Sequence, residues 1–184
     1  MADRPIIFSA PMVRALLDGR KTQTRRIYRV PPGSYVEQGR IWAMTDGCPH
    51  GDAALPYAPG DRLWVREAFW RDGPGRFRYR ASGHVSPFGW HPPQRMGRPP
   101  SRLTLLVTDV RVQRLQEISA EDVTAEGIPF ESDALAPYEW SVSRFADLWN
   151  SIHGHDAWDA NPWVAAISFE THRCNIDTME EGTW

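Results

Sequence analysis

The sequence predicts an α+β fold, a small curled sheet or partial mixed β-barrel with peripheral helices. Three observations point there: strand-like stretches outnumber helix-like ones, the two kinds interleave along the chain, and no internal repeat organises them. At 184 residues the chain fits one domain with a sizeable core. We read residues 1–172 as that domain, with loop insertions near 31–59 and 83–100, and 173–184 as an acidic C-terminal tail.

The elements follow in order. Residues 4–9 read as a first strand, with Pro5 confined to its start. Ser9 or Ala10 then caps a short helix with Pro11 in its first turn and an apolar stripe of Met12, Ala15 and Leu16, closed by Gly19. A second strand is predicted over 25–30, stopped by Pro31-Pro32-Gly33. The region to Pro59 reads as irregular, with one short strand at 41–44. After a Pro59-Gly60-Asp61 turn, residues 63–70 form a strand that places Glu67 on a largely apolar face with Leu63, Val65 and Phe69. A carboxylate there is either paired with an arginine or open to a pocket. Residues 76–80 alternate arginine with aromatic side chains and return as the partner of a hairpin.

The strongest strand signal is 102–112, continuing through 113–115. Ser119 caps a helix with Glu121 and Asp122 in its first turn and Gly127 after its last. Residues 138–152 read as the longest helix, burying Trp140, Phe145, Leu148 and Trp149, and 164–170 as the final strand.

Composition narrows the function. No run approaches the roughly 20 apolar residues of a membrane span, and the first residues carry no apolar signal region, so we expect a cytoplasmic protein without a membrane partner. Net charge is only −2 but is uneven: residues 1–40, 41–114 and 115–184 sum to +5, +5 and −12. Such polarity fits an anionic partner on the basic part, or basic strands neutralised by acidic helices within the fold. Cys48 and Cys174 are expected as free thiols, and Cys48-Pro49-His50 lacks the second ligand pair of a zinc site. We expect no metal and no cofactor. Gly19-Arg20-Lys21-Thr22 lacks the glycines of a phosphate-binding loop, and there is no Gly-x-Ser-x-Gly elbow.

What stands out is Lys21, the one lysine beside 20 arginines. Arginine keeps its proton in a protein, whereas lysine loses proton affinity on burial and then serves as a base. Thr22 and Thr24 lie within three residues of it. A neutralisable base beside hydroxyls is the minimum of an activated nucleophile. The plainer alternative is a lysine on a solvated face of an arginine-rich chain. In a straight strand Lys21 and Thr24 face opposite sides, so their cooperation requires a turn, a bulge or one helical turn between them. Glu126, at the end of the acidic helix, meets the negative pole of the macrodipole, a mildly costly place for its charge; the plainer alternative is an ordinary solvated glutamate.

Gly19-Arg20-Lys21-Thr22-x-Thr24-x-Arg26 after a short helix, the Gly60-Asp61 turn into a strand, and the acidic helix ending Ala125-Glu126-Gly127 together resemble the ASCH domain of the PUA-like superfamily. The likeness is to its YqfB-like amidohydrolases of N4-acetylcytidine and to larger phage and prophage ASCH proteins. It covers 4–30, 60–70, 102–128 and 163–170 and leaves the two loop insertions unmatched. It implies an amidohydrolase acting on N4-acetylcytidine or a related N4-acylated cytosine nucleoside, with Thr24 as nucleophile, Lys21 as its base and Glu126 as acid. Spacing alone leaves Thr22 and Thr24 equal as nucleophile. Trp64, Arg66, Glu67, Tyr79 and Arg26 are candidates for holding the substrate. The competing expectations are an RNA-binding domain without catalysis, its phosphate track the basic residues at 20, 21, 25, 26, 29, 76, 78, 80, 95, 98 and 102, and an ASCH-type ribonuclease.

Overall fold

The computed structural model describes residues 2–45, 48–52, 55–129 and 137–179. The class is α+β. Five strands hydrogen-bond in the order β1 (Asp3–Ile7), β6 (Arg62–Arg66), β9 (Thr104–Arg114), β10 (Trp163–His172), β2 (Gln23–Ile27), forming a mixed sheet that does not close into a barrel. β1 runs parallel to β6, and β6 is antiparallel to β9, as β10 is to β2.

The chain divides into two compact units, residues 1–19, 59–108 and 169–184 in one, 20–58 and 109–168 in the other. The long strands β9 and β10 each lend a half to either unit.

In the first unit α1 (Ala10–Leu17) begins with Pro11 in its first turn and stops where Gly19 takes φ +71°. It buries Val13, Ala15 and Leu16, so the apolar stripe is centred on Val13 and leaves Met12 half-buried at its edge. Phe8, Leu63, Leu103 and Leu105 are fully buried with them in this unit. The single strand expected at 63–70 is two: β6 ends at Arg66, and β7 (Phe69–Arg71) pairs instead with β8 (Phe77–Tyr79). The break falls at Glu67, whose backbone N–H turns to the Met96 sulfur and whose carboxylate is drawn inward by Arg102.

In the second unit the structure corrects the reading of 31–59 as irregular. β3 (Ser34–Glu37), β4 (Arg40–Thr45) and β5 (Cys48–Asp52) form an antiparallel three-stranded sheet. The β3–β4 turn is Gln38-Gly39, with φ of 51° and 77°, the positive pair that a tight hairpin of right-handed twist demands. Gln-Gly announces that turn less clearly than Asn-Gly. β2 also starts at Gln23, two residues before the expected strand, because residues 23–27 pair with 164–168 of β10. The side chains of Cys48 and His50 lie outside the described residues.

α2 (Ala120–Ala125) follows its sequence: the Ser119 hydroxyl accepts from the Asp122 N–H at 3.2 Å, and Gly127 has φ +91° just past Glu126. α3 (Pro137–His153) buries Phe145 and Trp149 with Leu115, Ile118, Val123 and Val164, the core of this unit.

Candidate functional site

Lys21 stands between the end of α1 and the start of β2, as one half of an isolated antiparallel bridge to Glu126. The Thr22 N–H donates to the Ala125 carbonyl at 2.8 Å and fixes the register. A bridge puts the two facing side chains on one side of the backbone. The Lys21 ammonium accordingly donates to Glu126 Oε2 at 2.6 Å and to the Glu126 carbonyl at 2.9 Å. Lys21 is 1% exposed and Glu126 8%. Two residues 105 apart in the chain thus share a proton-transfer distance away from bulk water.

The contact belongs to a larger ionic group, all in the second unit. Gln23 and Arg25 follow Lys21 at intervals of two and project to the same side. Arg25 donates through Nη1 to Glu126 Oε1 at 3.2 Å and to Gln23 Oε1 at 2.6 Å, and through Nη2 to Asp122 Oδ2 at 2.6 Å. Arg111 closes the chain on Asp122 Oδ1 at 2.9 Å. Asp122 and Glu126 are one helical turn apart, a like-charge spacing that repels unless a cation spans it, and Arg25 spans it. The guanidinium has no exposed side-chain surface, and among the described residues its buried Nε has no partner.

The electrostatics follow from burial. Loss of water pulls Lys21 below the ordinary lysine value; Glu126 opposes that shift, while Arg26 and Arg25 add to it. Burial pushes the Asp122 carboxyl up, but Arg25 and Arg111 outweigh it and hold the group below the usual aspartate value. A lysine of weakened proton affinity against a carboxylate is a pair equipped to pass a proton.

Of the residues singled out from the sequence, Lys21 and Glu126 come together. Thr24 does not join them in this conformation. It sits between Gln23 and Arg25, opposite Ile167, so strand alternation turns it to the other face of β2. It is 4% exposed, and among the described residues no hydrogen bond joins its hydroxyl to Lys21 or Glu126. The turn or bulge needed to bring Thr24 beside Lys21 is absent, because residues 23–27 are committed to a regular ladder with β10. Thr22 is exposed. Arg26 is half-buried beside Ala165, within electrostatic reach of Tyr57 and Glu126.

The other four candidates lie in the first unit and are engaged there. Glu67, 1% exposed, accepts from Arg102 Nε at 2.8 Å and Nη2 at 3.1 Å. The same guanidinium lies 4.1 Å from the centre of the Tyr79 ring, and the Tyr79 hydroxyl donates to the Pro100 carbonyl at 2.8 Å. Glu67 is thus the arginine-paired carboxylate of the two alternatives. Burial raises its pKa, and Arg102 offsets part of the rise. Arg66 donates to the Pro93 carbonyl at 3.0 Å and to the Gln94 carbonyl, and lies 5.4 Å from the Trp64 ring centre.

Gln23, Arg25, Asp122 and Arg111 are the members that the sequence did not single out. Asp122, one turn before Glu126 on an acidic helix, was the available signal; nothing local named its partners. Among the described residues no three His, Cys, Asp or Glu side chains gather as a metal site requires, and no helix is long and apolar enough to cross a membrane.

No family model and no curated protein matches the chain. Among solved structures, the crystal structure of protein EF3133 from Enterococcus faecalis V583, of the family DUF984, is similar over 99% of this chain and 86% of that one, with 13% sequence identity and a TM-score of 0.46.

Proposed function

We propose that this chain is an amidohydrolase that removes the acyl group from N4-acetylcytidine or a related N4-acylated cytosine nucleoside, the reaction implied by its ASCH-like motif. The observation that supports it is the buried 2.6 Å contact between Lys21 and Glu126, both drawn from that motif. Hydrolysis of this amide needs a nucleophile at the carbonyl carbon and a proton for the departing exocyclic nitrogen. With the shared proton passed from Lys21 to Glu126, Thr24 Oγ attacks while the neutral Lys21 takes its proton, Glu126 delivers the passed proton to the leaving amine, and Lys21 then returns a proton to Glu126. Water then cleaves the acyl-threonine, releasing the carboxylic acid and restoring the hydroxyl. No step calls for a metal.

The first step requires Lys21 to exchange its contact with Glu126 for one with Thr24, which faces away from it here. Incubation with N4-acetylcytidine, following its conversion to cytidine, tests the reading. Lys21→Met and Glu126→Gln are expected to abolish turnover while remaining folded. Thr24→Ala decides the nucleophile: retained turnover there would assign the attack to water held by the pair. Absence of turnover by the wild-type protein at high concentration, over several acyl chain lengths, sinks the reading.

A second reading, an RNA-binding domain, has its own observation in the first unit. On one face of the β7–β8 hairpin Trp70 pairs across to Arg78. Arg76 and Arg80 flank Arg78 in sequence, and Phe88, 89% exposed, meets the Trp70 ring edge-on with centres 6.3 Å apart. Arginines beside open aromatic rings suit a single strand, by phosphate contact and base stacking. Lys21, Arg25, Arg78, Arg98 and Arg102 pair with carboxylates, Arg78 with Asp72 at 2.8 Å, so on the hairpin the phosphate contacts fall to Arg76 and Arg80. Binding of labelled single-stranded RNA that falls with salt and with Phe88→Ala supports this reading; cleavage of that RNA favours the ribonuclease.

A further inference from the structure

We infer that Arg25 is a positioning residue for the Lys21–Glu126 pair: it takes Glu126 Oε1 and anchors to Asp122, so that Oε2 is the oxygen presented to the lysine. The inference extends the amidohydrolase reading to a residue outside the motif that suggested it.

The geometry carries it. Glu126 has two carboxylate oxygens, and the structure divides them, Oε2 to Lys21 at 2.6 Å and Oε1 to Arg25 at 3.2 Å. Left alone, a buried carboxylate beside an ammonium turns to offer both oxygens or swings between them. Arg25 prevents this because its other Nη is fixed at 2.6 Å to Asp122, on the same helix as Glu126 and one turn earlier. The fork therefore grips the helix at two points, while Gln23 Oε1, a neutral acceptor at 2.6 Å, sets the plane of the guanidinium. A lysine, with one point charge, cannot span two carboxylates in this way.

Simple satisfaction of a buried arginine does not account for the arrangement. Among the described residues Nε has no partner, which is costly in the interior, and both Nη groups reach acidic side chains, Asp122 of α2 and Glu126 just past its end. Phe145 of α3 lies 5.9 Å from the guanidinium centre and lays an apolar ring beside the fork. Other titratable groups near the pair, among the described residues, include Arg26 on β2, Arg111 beyond Asp122, and His153 near Arg26 at the end of α3, where burial pulls the imidazole pKa down.

Because Lys21 is the one lysine, a protein labelled with carbon-13 at lysine Cε gives one lysine signal. That signal is followed through a pH titration in the wild type, Arg25→Gln and Arg25→Lys. In Arg25→Gln the Lys21 titration is expected to move upward, since a neighbouring cation is gone and both Glu126 oxygens turn to the ammonium. In Arg25→Lys the charge stays and the fork is lost; of its two lysine signals, the one missing from Lys21→Met, Arg25→Lys belongs to Lys21. The Lys21 signal at neutral pH is then expected to shift, and kcat for the acylated nucleoside to fall by about 10-fold or more with KM unchanged. A Lys21 signal that keeps its position and its titration overturns the inference. Should Arg25→Gln be too unstable to titrate, the Arg25→Lys signal decides it. If the wild type turns over no acylated nucleoside, the amidohydrolase reading falls while the lysine signal still decides the role of Arg25.

Discussion

Truncation of Glu126 to alanine should be among the most damaging single changes in the second unit. In the folded protein Lys21 is 1% exposed, and its ammonium would keep the backbone carbonyl of residue 126 but lose the carboxylate at 2.6 Å. Arg25 loses one of its two carboxylates as well, and among the described residues its Nε has no partner to begin with. Removing one member of a buried ion pair typically costs about 3–5 kcal/mol, because the other charge stays desolvated. Relief of the Asp122–Glu126 repulsion returns only a few tenths of a kcal/mol. Against a total stability of about 5–15 kcal/mol the loss is severe, and for a chain of this length it lowers Tm by roughly 6–20 °C. Urea unfolding followed by tryptophan fluorescence measures it, and the double variant Lys21→Met, Glu126→Ala completes the cycle. With the stranded charge gone, the double variant should be more stable than the sum of its singles by about 1–3 kcal/mol. A cost for Glu126→Ala below about 1 kcal/mol with no coupling would mean that the pair is solvated, and the argument for a buried site would fail. The same cycle has a pH signature. The folded-state pKa of Lys21 lies below the unfolded value, so between the two the unfolded chain binds more protons and stability rises with pH. Lys21→Met should remove that rise.

Arg102→Ala should strand Glu67, 1% exposed, and cost about 3–5 kcal/mol by urea unfolding. Since burial raises the pKa of Glu67, its contribution to stability falls as pH climbs from the unfolded glutamate value through the folded one. Without Arg102 that fall should be steeper and reach higher pH. Gly39→Ala forces a side chain onto a backbone at φ +77°, with its Cβ 3.5 Å from the Arg111 Cβ, and is expected to lose about 1 kcal/mol or more. Phe88→Ala, at a residue 89% exposed, should change stability by no more than about 0.5 kcal/mol; a larger loss would show that the ring is packed in solution.

Elements whose signals are local were legible in the sequence. Ser119, Glu121, Asp122 and Gly127 bracket α2 because caps and macrodipole act within one turn, and the β-branched run of β9 needs no partner to announce itself. The sheet of β3, β4 and β5 was missed because Gln38-Gly39 makes a hairpin turn without the usual Asn or Asp, and its strands carry little alternation. The break at Glu67 was missed for a different reason: continuous β-propensity through 63–70 is local, whereas the pull of Arg102, 35 residues away, is not. The site divides in the same way. Lys21 and Glu126 could be named one by one, from composition and from a helix end; that they touch is a finding of the structure. The ladder that turns Thr24 away pairs residues up to 145 apart, and the Arg25 fork reaches Glu126 and Asp122 at 101 and 97 residues, spans that no window of sequence contains.

The burial of the single lysine also makes the chain its own reporter of local opening. A lysine-directed acylating reagent has no target among the side chains of the closed protein, since Lys21 is 1% exposed and no other lysine competes for it. Every modified lysine must come from a molecule in which the Lys21–Glu126 bridge has parted, so the rate of modification, read by mass, counts those openings directly. The residue around which the site is built thereby doubles as a clock for how often that site comes apart.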